Sequence, residues 1–333
     1  MASATIRDVA ARASVSVASV SRAFNGHGNV HPETRARVMA AAKALGYVPH
    51  AGARSLSLAK TQAIGVVLPD LYGEFFSELV RGMDREATPR GYHLLLSNMH
   101  ADAALAAQAM RSMRGRVDGL IVMAPQLGRE LLDEALPGGI PAVLINAPDG
   151  MGRPALRIDN RAGIEAIVAH LAAAGRRAPV HVAGPAGNID ADERRAAFAD
   201  ALARHLPGAV PRTIDGDFRE EAGAAAVAEL RARGEPFDAI VAANDMMALG
   251  ALQALREGGV DVPGAVAVTG FDDVPLARYL SLTTVRVHLV DLGARAVTRL
   301  VERLGGGGAD DQETERVTPE LVVRATSQHT ETR

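Results

Sequence analysis

The sequence predicts an all-α head followed by an α/β core of two doubly wound parallel-sheet lobes. Three features carry this expectation: basic charge gathered in the first 60 residues, short capped helical segments over the same stretch, and, from Ala63 onward, apolar runs alternating with amphipathic helical patterns. At 333 residues, 48% hydrophobic and 23% charged, the chain has globular composition and the length of roughly two domains. That balance excludes disordered, collagenous and coiled-coil classes. No apolar run reaches the roughly 20 residues that cross a bilayer, and the N-terminus MASATIRDVAARAS is polar where a secretory segment would be apolar. A cytoplasmic protein with no membrane partner is expected. The sequence has no cysteine, which removes disulfides, thiolate catalysis and cysteine-ligated zinc. The formal net charge of −3 conceals a split: residues 1–60 hold Arg7, Arg12, Arg22, Arg35, Arg37, Lys43, Arg54 and Lys60 against Asp8 and Glu33, a net of +6, so the remainder carries −9. A basic head on an acidic body points to an anionic partner for the head, and nucleic acid is the commonest.

Within the head, Thr5 is placed to cap a helix over Ile6–Ala13, with Asp8 closing a capping box and facing the positive end of the helix dipole. Ser14 and Val15 break the pattern, and Ser16 caps a second helix running to about Asn25. Two helices with so short a break make a helix-turn-helix. Val20 and Phe24 point inward at i and i+4, whereas Val17, Ala18, Ser21 and Arg22 take the outer face. Gly26, His27 and Gly28 stop this helix. A third starts near Pro32, and its Val38, Ala41, Ala42 and Leu45 form an apolar stripe that ends at Gly46 and Tyr47. Periodicity alone also fits a three-helix bundle without a ligand. The small outward side chains of Val17 and Ala18 favour DNA, because a solvated face would carry charge while a helix entering a groove needs a slim leading edge. Arg22 adds the donor fork that matches guanine or phosphate.

The stretch TIRDVAARASVSVASVSRAFNGHGNVHPETRARVMAAAKALGYVPHAGARSL resembles, without gaps, the N-terminal region of the lactose-repressor/galactose-repressor (LacI/GalR) family of bacterial transcription regulators. The runs DVAxxAxVSxxxVSRxxN and TRxRVxxAxxxLGYxP carry the likeness. It implies that residues 16–25 are the recognition helix, with Val17 and Ala18 as the specificity pair and Arg22 as a base contact. Thr5, Ser16, Ser21, Asn25 and Arg54 join the implied DNA-binding set. Residues 50–60 resemble the family's hinge, in which Leu56 would wedge into the minor groove; an apolar wedge unstacks a flexible step and kinks the duplex. His31 departs from the family at a position usually held by a Ser or Thr cap, and His50 replaces a usual asparagine. Gly52 puts into the hinge a residue about 1 kcal/mol less helix-favouring than alanine.

In the body, AIGVVLP, YHLLLSN, VDGLIVMA, PAVLIN, PVHVAG, DAIVAAN and AVAVTGF read as near-continuous apolar strands, the mark of parallel sheets covered on both faces. Phe75, Phe76, Leu79, Val80 and Met83 form one covering helical face. Ligands of open α/β sheets sit beyond the carboxyl ends of the strands. The residues found there are Asp70, Asn146, Asn188, Asp190, Asn244 with Asp245, and Asp272 with Asp273. Arg194 supplies a bidentate fork nearby, and Phe75, Phe76 and Phe218 supply flat apolar surface in a chain only 3% aromatic. Amides and carboxylates pair with vicinal hydroxyls while rings cover a C–H face, so the set suits a small sugar. Asn and Asp at strand ends also cap the following helix, and Asp245 is the more structural member of its pair.

AANDMMALGAL, GFDDVPLARYLSLTTVR and ERRAAFADAL resemble the effector-domain signatures of the same family, which implies a periplasmic-binding-protein-like core. By that likeness Asn244, Asp272 and Arg194 bind the small molecule, and Phe75, Phe76 and Phe218 line the pocket. The implied layout is a head over 1–48, a hinge over 49–61, an N-terminal lobe from 62–158 plus 288–318, and a C-terminal lobe from 159–287 plus 319–328. Val287 stands where a pocket glutamine is frequent, and Asn188 and Asp190 lie in a stretch that varies with ligand. Both a sugar and a nucleobase or nucleoside stay open. The helix Leu289–Leu304 precedes a loop, GGGGADDQETE, and a final strand, ELVVRATS, by which the chain returns to both lobes. The glycine run follows a helix and lacks the GK[ST] ending of a phosphate loop. No leucine heptads follow residues 321–324, so a homodimer is expected.

No GxGxxG, HExxH, GxSxG or DxDxDG arrangement occurs, which argues against an enzyme, a cofactor or a metal. A sugar-transport protein would carry a secretion signal in place of the basic head. The remaining expectation is a repressor that binds palindromic operator DNA under control of a small-molecule effector.

Overall fold

The computed structural model describes residues 4–24, 30–48, 60–100, 102–136, 138–307 and 313–328. Asn25, Gly26, His27, Gly28, His50, Gly52, Arg54 and Leu56 lie outside the described residues. The chain forms two compact units, Met1–Ala63 with Gly115–Asp118, and Ile64–Arg114 with Gly119–Arg333.

In the first unit, α1 spans Ile6–Ala13, α2 Val17–Phe24 and α3 Pro32–Leu45. The capping box forms: Thr5 N donates to Asp8 Oδ2 at 2.8 Å and Asp8 N donates to Thr5 Oγ1 at 3.4 Å. These bonds hold the Asp8 carboxyl below the usual range. Ser14, left-handed at φ 53°, turns the chain, and Ser16 Oγ accepts from Ser19 N at 3.1 Å to start α2. His31 makes no side-chain cap, whereas Gly46 closes α3 at φ 60°. Val9, Ala13, Val20, Val38, Ala41 and Ala42 are buried together, with Leu45 half-buried. Ala23 joins them, an inward position that the i, i+4 reading of α2 omitted. The Phe24 and Tyr47 rings close the bundle at 5.9 Å. In the same unit the Asp118 carboxylate accepts from Thr61 N at 2.6 Å, Thr61 Oγ1 at 2.8 Å and Gln62 N at 2.9 Å.

The second unit alternates strands and helices: β1 (Ala63–Leu68), α4 (Glu74–Ala87), β2 (His93–Asn98), α5 (Ala103–Ser112), β3 (Gly119–Met123), α6 (Arg129–Ala135), β4 (Ala142–Ile145) and β5 (Ala155–Ile158). It continues through α7 (Asn160–Ala173), β6 (Pro179–Val182), α8 (Ile189–His205), β7 (Thr213–Ile214), α9 (Glu220–Arg233), β8 (Ala239–Ala242), α10 (Asp245–Glu257) and β9 (Ala267–Asp272). The last elements are α11 (Pro275–Tyr279), β10 (Thr283–Arg286), α12 (Leu289–Leu304), β11 (Thr314–Val317) and β12 (Glu320–Val322). Among the described residues the strands form two six-stranded sheets, ordered β11-β5-β4-β3-β1-β2 and β12-β10-β9-β8-β6-β7. The order reverses within each sheet, as doubly wound folds require. Ile64, Val66 and Leu68 of β1 are fully buried, each side chain contributing about 1.5–3 kcal/mol.

Three expectations need correction. The final strand pairs antiparallel to β10, with Val285 opposite Leu321, so the second sheet is parallel except at that edge. An edge strand entering from the other sheet needs no crossover helix and is not held to the parallel direction. It is also shorter than ELVVRATS: Thr326 and Ser327 lie in a turn, bound to Thr283 through Thr283 N to Thr326 Oγ1 at 2.9 Å and a hydroxyl pair at 2.7 Å. Finally, Thr314 and Glu315 belong to β11, which pairs in parallel with β5, and not to the loop after α12. Close helix packing adds a constraint. A methyl group on Gly82 of α4 would overlap the Val290 carbonyl, and one on Gly293 of α12 would overlap that of Leu79.

Candidate functional site

The strand ends of both sheets open into one cleft of about 170 Å³. Asp70 follows β1, Asn146 follows β4, Asn188 and Asp190 lie beyond β6, Asn244 follows β8 and Asp272 ends β9. All of them line the cleft, together with Arg194 and the rings of Phe75, Phe76 and Phe218. Parallel strands explain the convergence, because every carboxyl end points to the same edge. Asn146 (φ 47°), Phe218 (φ 72°) and Asp272 (φ 114°) adopt backbone angles that side chains rarely tolerate, the kind of strain that collects at binding sites. Phe75 and Phe76 meet edge to face, with centroids 5.1 Å apart.

The polar atoms divide into engaged and unengaged. Asn188 Oδ1 caps α8 by accepting from Asp190 N at 3.0 Å and Ala191 N at 3.2 Å. Asn244 caps α10 through Met247 N at 3.0 Å and donates to the Phe218 carbonyl at 2.9 Å, so it positions the ring. Asp245 accepts from Val274 N at 2.9 Å and from the Thr284 hydroxyl, as suits a structural carboxylate. Asp190 accepts from Asn160 Nδ2 at 2.8 Å. Arg194 donates through Nε to Asn160 Oδ1 at 2.8 Å and to the Ala243 carbonyl, and its guanidinium lies 3.7 Å from the centre of the Phe271 ring. Its remaining nitrogen stands 3.8 Å from Asp272 Oδ1, beyond hydrogen-bond reach. Asp272 Oδ1, Asn146 Nδ2 and Gln126 Oε1 are buried with no hydrogen-bond partner. Burial lifts the Asp272 carboxyl to about 7 although Arg194 pulls it down. Burial also raises Asp190 and Asp245, the latter helped by the Asp272 charge.

Reading strand ends missed Gln126, three residues past β3, and the mouth residues Tyr72, Asp217 and Arg219. The same rule applied to β3 would have found Gln126. At the mouth the Tyr72 hydroxyl donates to Glu220, Arg219 stands 3.5 Å from Asp70, and its guanidinium covers the Tyr72 ring at 4.8 Å. Nothing in the local pattern marks Tyr72 and Arg219, because their partners Glu220 and Asp70 lie about 150 positions away, and Asp217 is bonded only locally, accepting from Arg219 N at 2.9 Å. Val287 is buried and does not line the cleft. A wider cavity of about 780 Å³ lies alongside, bordered by Asp159, Arg161, Asp192 and Glu193, and none of the expected residues reaches it.

In the head, α2 presents Val17, 42% exposed, beside exposed Ala18 and Arg22 and half-buried Ser21. Thr5 and Ser16 are exposed at the starts of α1 and α2, where their hydroxyls act as caps. No helix among the described residues is long and apolar enough to cross a membrane.

A helix-turn-helix carried on the same chain as a two-lobed binding-protein core defines a class of DNA-binding transcriptional regulators. Residues 5–50 match the family described as bacterial regulatory proteins, lacI family, and residues 168–327 match the periplasmic binding protein-like domain. The HTH-type transcriptional regulator GalR of Salmonella typhimurium is 34% identical over 329 residues, covering 96% of this chain and 95% of that protein. Catabolite control protein A of Priestia megaterium is 33% identical over 304 residues, covering 90% and 92%. The ribose operon repressor of Halalkalibacterium halodurans is 31% identical over 326 residues, covering 97% of each. Among solved structures, the lac repressor dimer bound to operator and the anti-inducer ONPF matches with a TM-score of 0.87 at 28% identity, covering 98% of this chain and 99% of that one. The chain belongs to the lacI family of bacterial regulatory proteins and is a DNA-binding transcriptional regulator.

Proposed function

We propose that the protein represses transcription as a homodimer on a palindromic operator and that a small sugar in the cleft controls its hold on DNA. Residues 1–48 read the operator, 49–61 act as the hinge, and the lobes 62–158 plus 288–318 and 159–287 plus 319–328 hold the effector. Val17, Ala18 and Arg22 choose the sequence; Thr5, Ser16, Ser21, Asn25 and Arg54 hold the backbone, and Leu56 wedges the minor groove. Asp70, Asn146, Asn188, Asp190, Arg194, Asn244 and Asp272 surround the sugar, with Phe75, Phe76 and Phe218 covering its apolar face. The observation that carries the reading is one chain joining a slim exposed helix edge to a cleft floored by buried polar atoms that lack partners.

Relatives support the assignment: one is a ribose operon repressor, and another was captured on operator as a dimer. Effector binding that differs between two lobe arrangements shifts operator affinity by a coupling of about 1–3 kcal/mol. Arg22→Ala should abolish discrimination between operator and random DNA while the ligand response stays intact. Footprinting that shows retained discrimination rejects the recognition-helix assignment.

A further inference from the structure

We infer that Asp118 is a positioning residue for DNA binding: its carboxylate fixes the root of the segment that carries the head, and thereby sets the half-site spacing that the dimer accepts. The inference rests on the reading of residues 49–61 as a hinge and of the target as a palindrome.

The contact is built around three consecutive residues. Thr61 and Gln62 lead into β1, and Asp118 stands one residue before β3, which runs parallel beside β1 with Gly119 opposite Ile64. Asp118 Oδ1 accepts from Thr61 N at 2.6 Å and from the Thr61 hydroxyl at 2.8 Å, while Oδ2 accepts from Gln62 N at 2.9 Å. The Asp118 N–H donates to the Ala63 carbonyl at 2.8 Å, and Ala63 N donates to Thr61 Oγ1 at 3.3 Å. One half-buried side chain thus grips two successive backbone N–H groups and a hydroxyl. Hydrogen bonds to an ionised acceptor are roughly twice as strong as neutral ones.

The backbone shows that this grip imposes a direction. Gln62 is left-handed at φ 55°, a conformation that a residue with a Cβ keeps only where its surroundings over-determine it. A strand needs no such bend in order to begin: β9 starts from Ala265 and Val266 without one. The bend at Gln62 is held by Asp118.

A root held in this way gives no slack. Each residue released lengthens a tether by up to about 3.3–3.6 Å, and successive base pairs stand about 3.4 Å apart. Freeing Thr61 and Gln62 therefore adds to each head a reach of about two base pairs. One inserted base pair also turns a half-site by about 35°, at about 10–10.5 base pairs per turn. Slack of that size lets a head follow a displaced half-site, and it lowers the effective concentration of the second head once the first is bound.

The test uses the full-length protein. A palindromic duplex enriched from a random-sequence library by the native protein is resynthesised with one or two base pairs added or removed at its centre. Affinities are read by fluorescence anisotropy at one salt concentration, beside the thermal melting of each variant. Asp118→Asn turns an amide NH2 toward one of the two backbone N–H groups, whereas Thr61→Val removes the hydroxyl bond alone. The native protein should lose at least about tenfold in affinity at each altered spacing. Asp118→Asn should bind the selected spacing about three- to tenfold more weakly yet vary less than about threefold across the series. Thr61→Val should fall between the two, with both variants melting as the native protein does. A native spacing preference in Asp118→Asn overturns the positioning role while the hinge reading stands. So does a loss that is equal at every spacing and tracks a lower melting temperature, the mark of a purely structural residue. If Asp118→Asn does not fold, Thr61→Val decides by the same comparison. A native protein that enriches no palindrome, or binds every spacing alike, overturns the hinge and palindrome reading and the inference with it.

Discussion

Asp272 combines a left-handed backbone, a buried carboxyl and an oxygen with no hydrogen bond. Its carboxyl ordinarily ionises near 3.8 and is lifted by burial to about 7 in the fold. Between those values the unfolded chain has released the proton that the native state keeps, so this group makes stability fall as pH rises from about 4 to 7. A sugar hydroxyl donates more strongly to the Asp272 carboxylate than to the neutral acid. Sugar affinity should therefore climb with pH, by at most about tenfold per unit, and level off above about 7. Calorimetry at pH 6 in buffers of different ionisation enthalpy should register a released proton, and Asp272→Asn should flatten the profile; a flat native profile would contradict the role. At this scale the candidate site was legible because the carboxyl ends of parallel strands are predictable places. What was not legible was which polar atoms the protein itself engages. Asn244 looks like a ligand group in sequence, yet both ends of its amide are bonded within the fold.

Elements were legible where one periodicity dominated. β1, β3, β4 and β8 are apolar throughout and fully buried, and α12 matched its amphipathic stripe at both ends. Strands β5, β7 and β10 left weaker traces. Arg157 interrupts β5 and is buried only because Asp149, at 3.0 Å, and Glu193 neutralise it. Thr283 and Thr284 of β10 are buried because hydroxyls, carbonyls and the Asp245 carboxylate bond to them. Such compensation comes from distant parts of the chain and leaves no periodic signal. The α4–α12 contact yields an element-scale expectation. Gly82→Ala forces a methyl into the Val290 carbonyl and should destabilise the core by more than about 2 kcal/mol, whereas Gly128→Ala, with open space around it, should change little. Urea unfolding distinguishes the two by midpoint; equal midpoints would mean that the helices separate readily.

The molecule as a whole divides into two compact units, so each should keep its own properties when parted from the other. A chain of residues 61–333, which carries −9, should melt cooperatively and retain the sugar-induced thermal shift while losing all affinity for DNA at low salt. Loss of the ligand response in that fragment would show that the head contributes to the site. Within the core, the chain passes from one sheet to the other after β5, returns after β10, and passes again between β11 and β12, where only Thr318 and Pro319 intervene. That path makes the gene unequally modular. A graft that exchanges the DNA-reading segment needs a single junction, whereas one that exchanges a single lobe needs three, each at a seam where both lobes share covalent chain. One recombination at the first junction can thus bring a new operator, or a whole new core with its ligand, while a change confined to one lobe must arise by substitution.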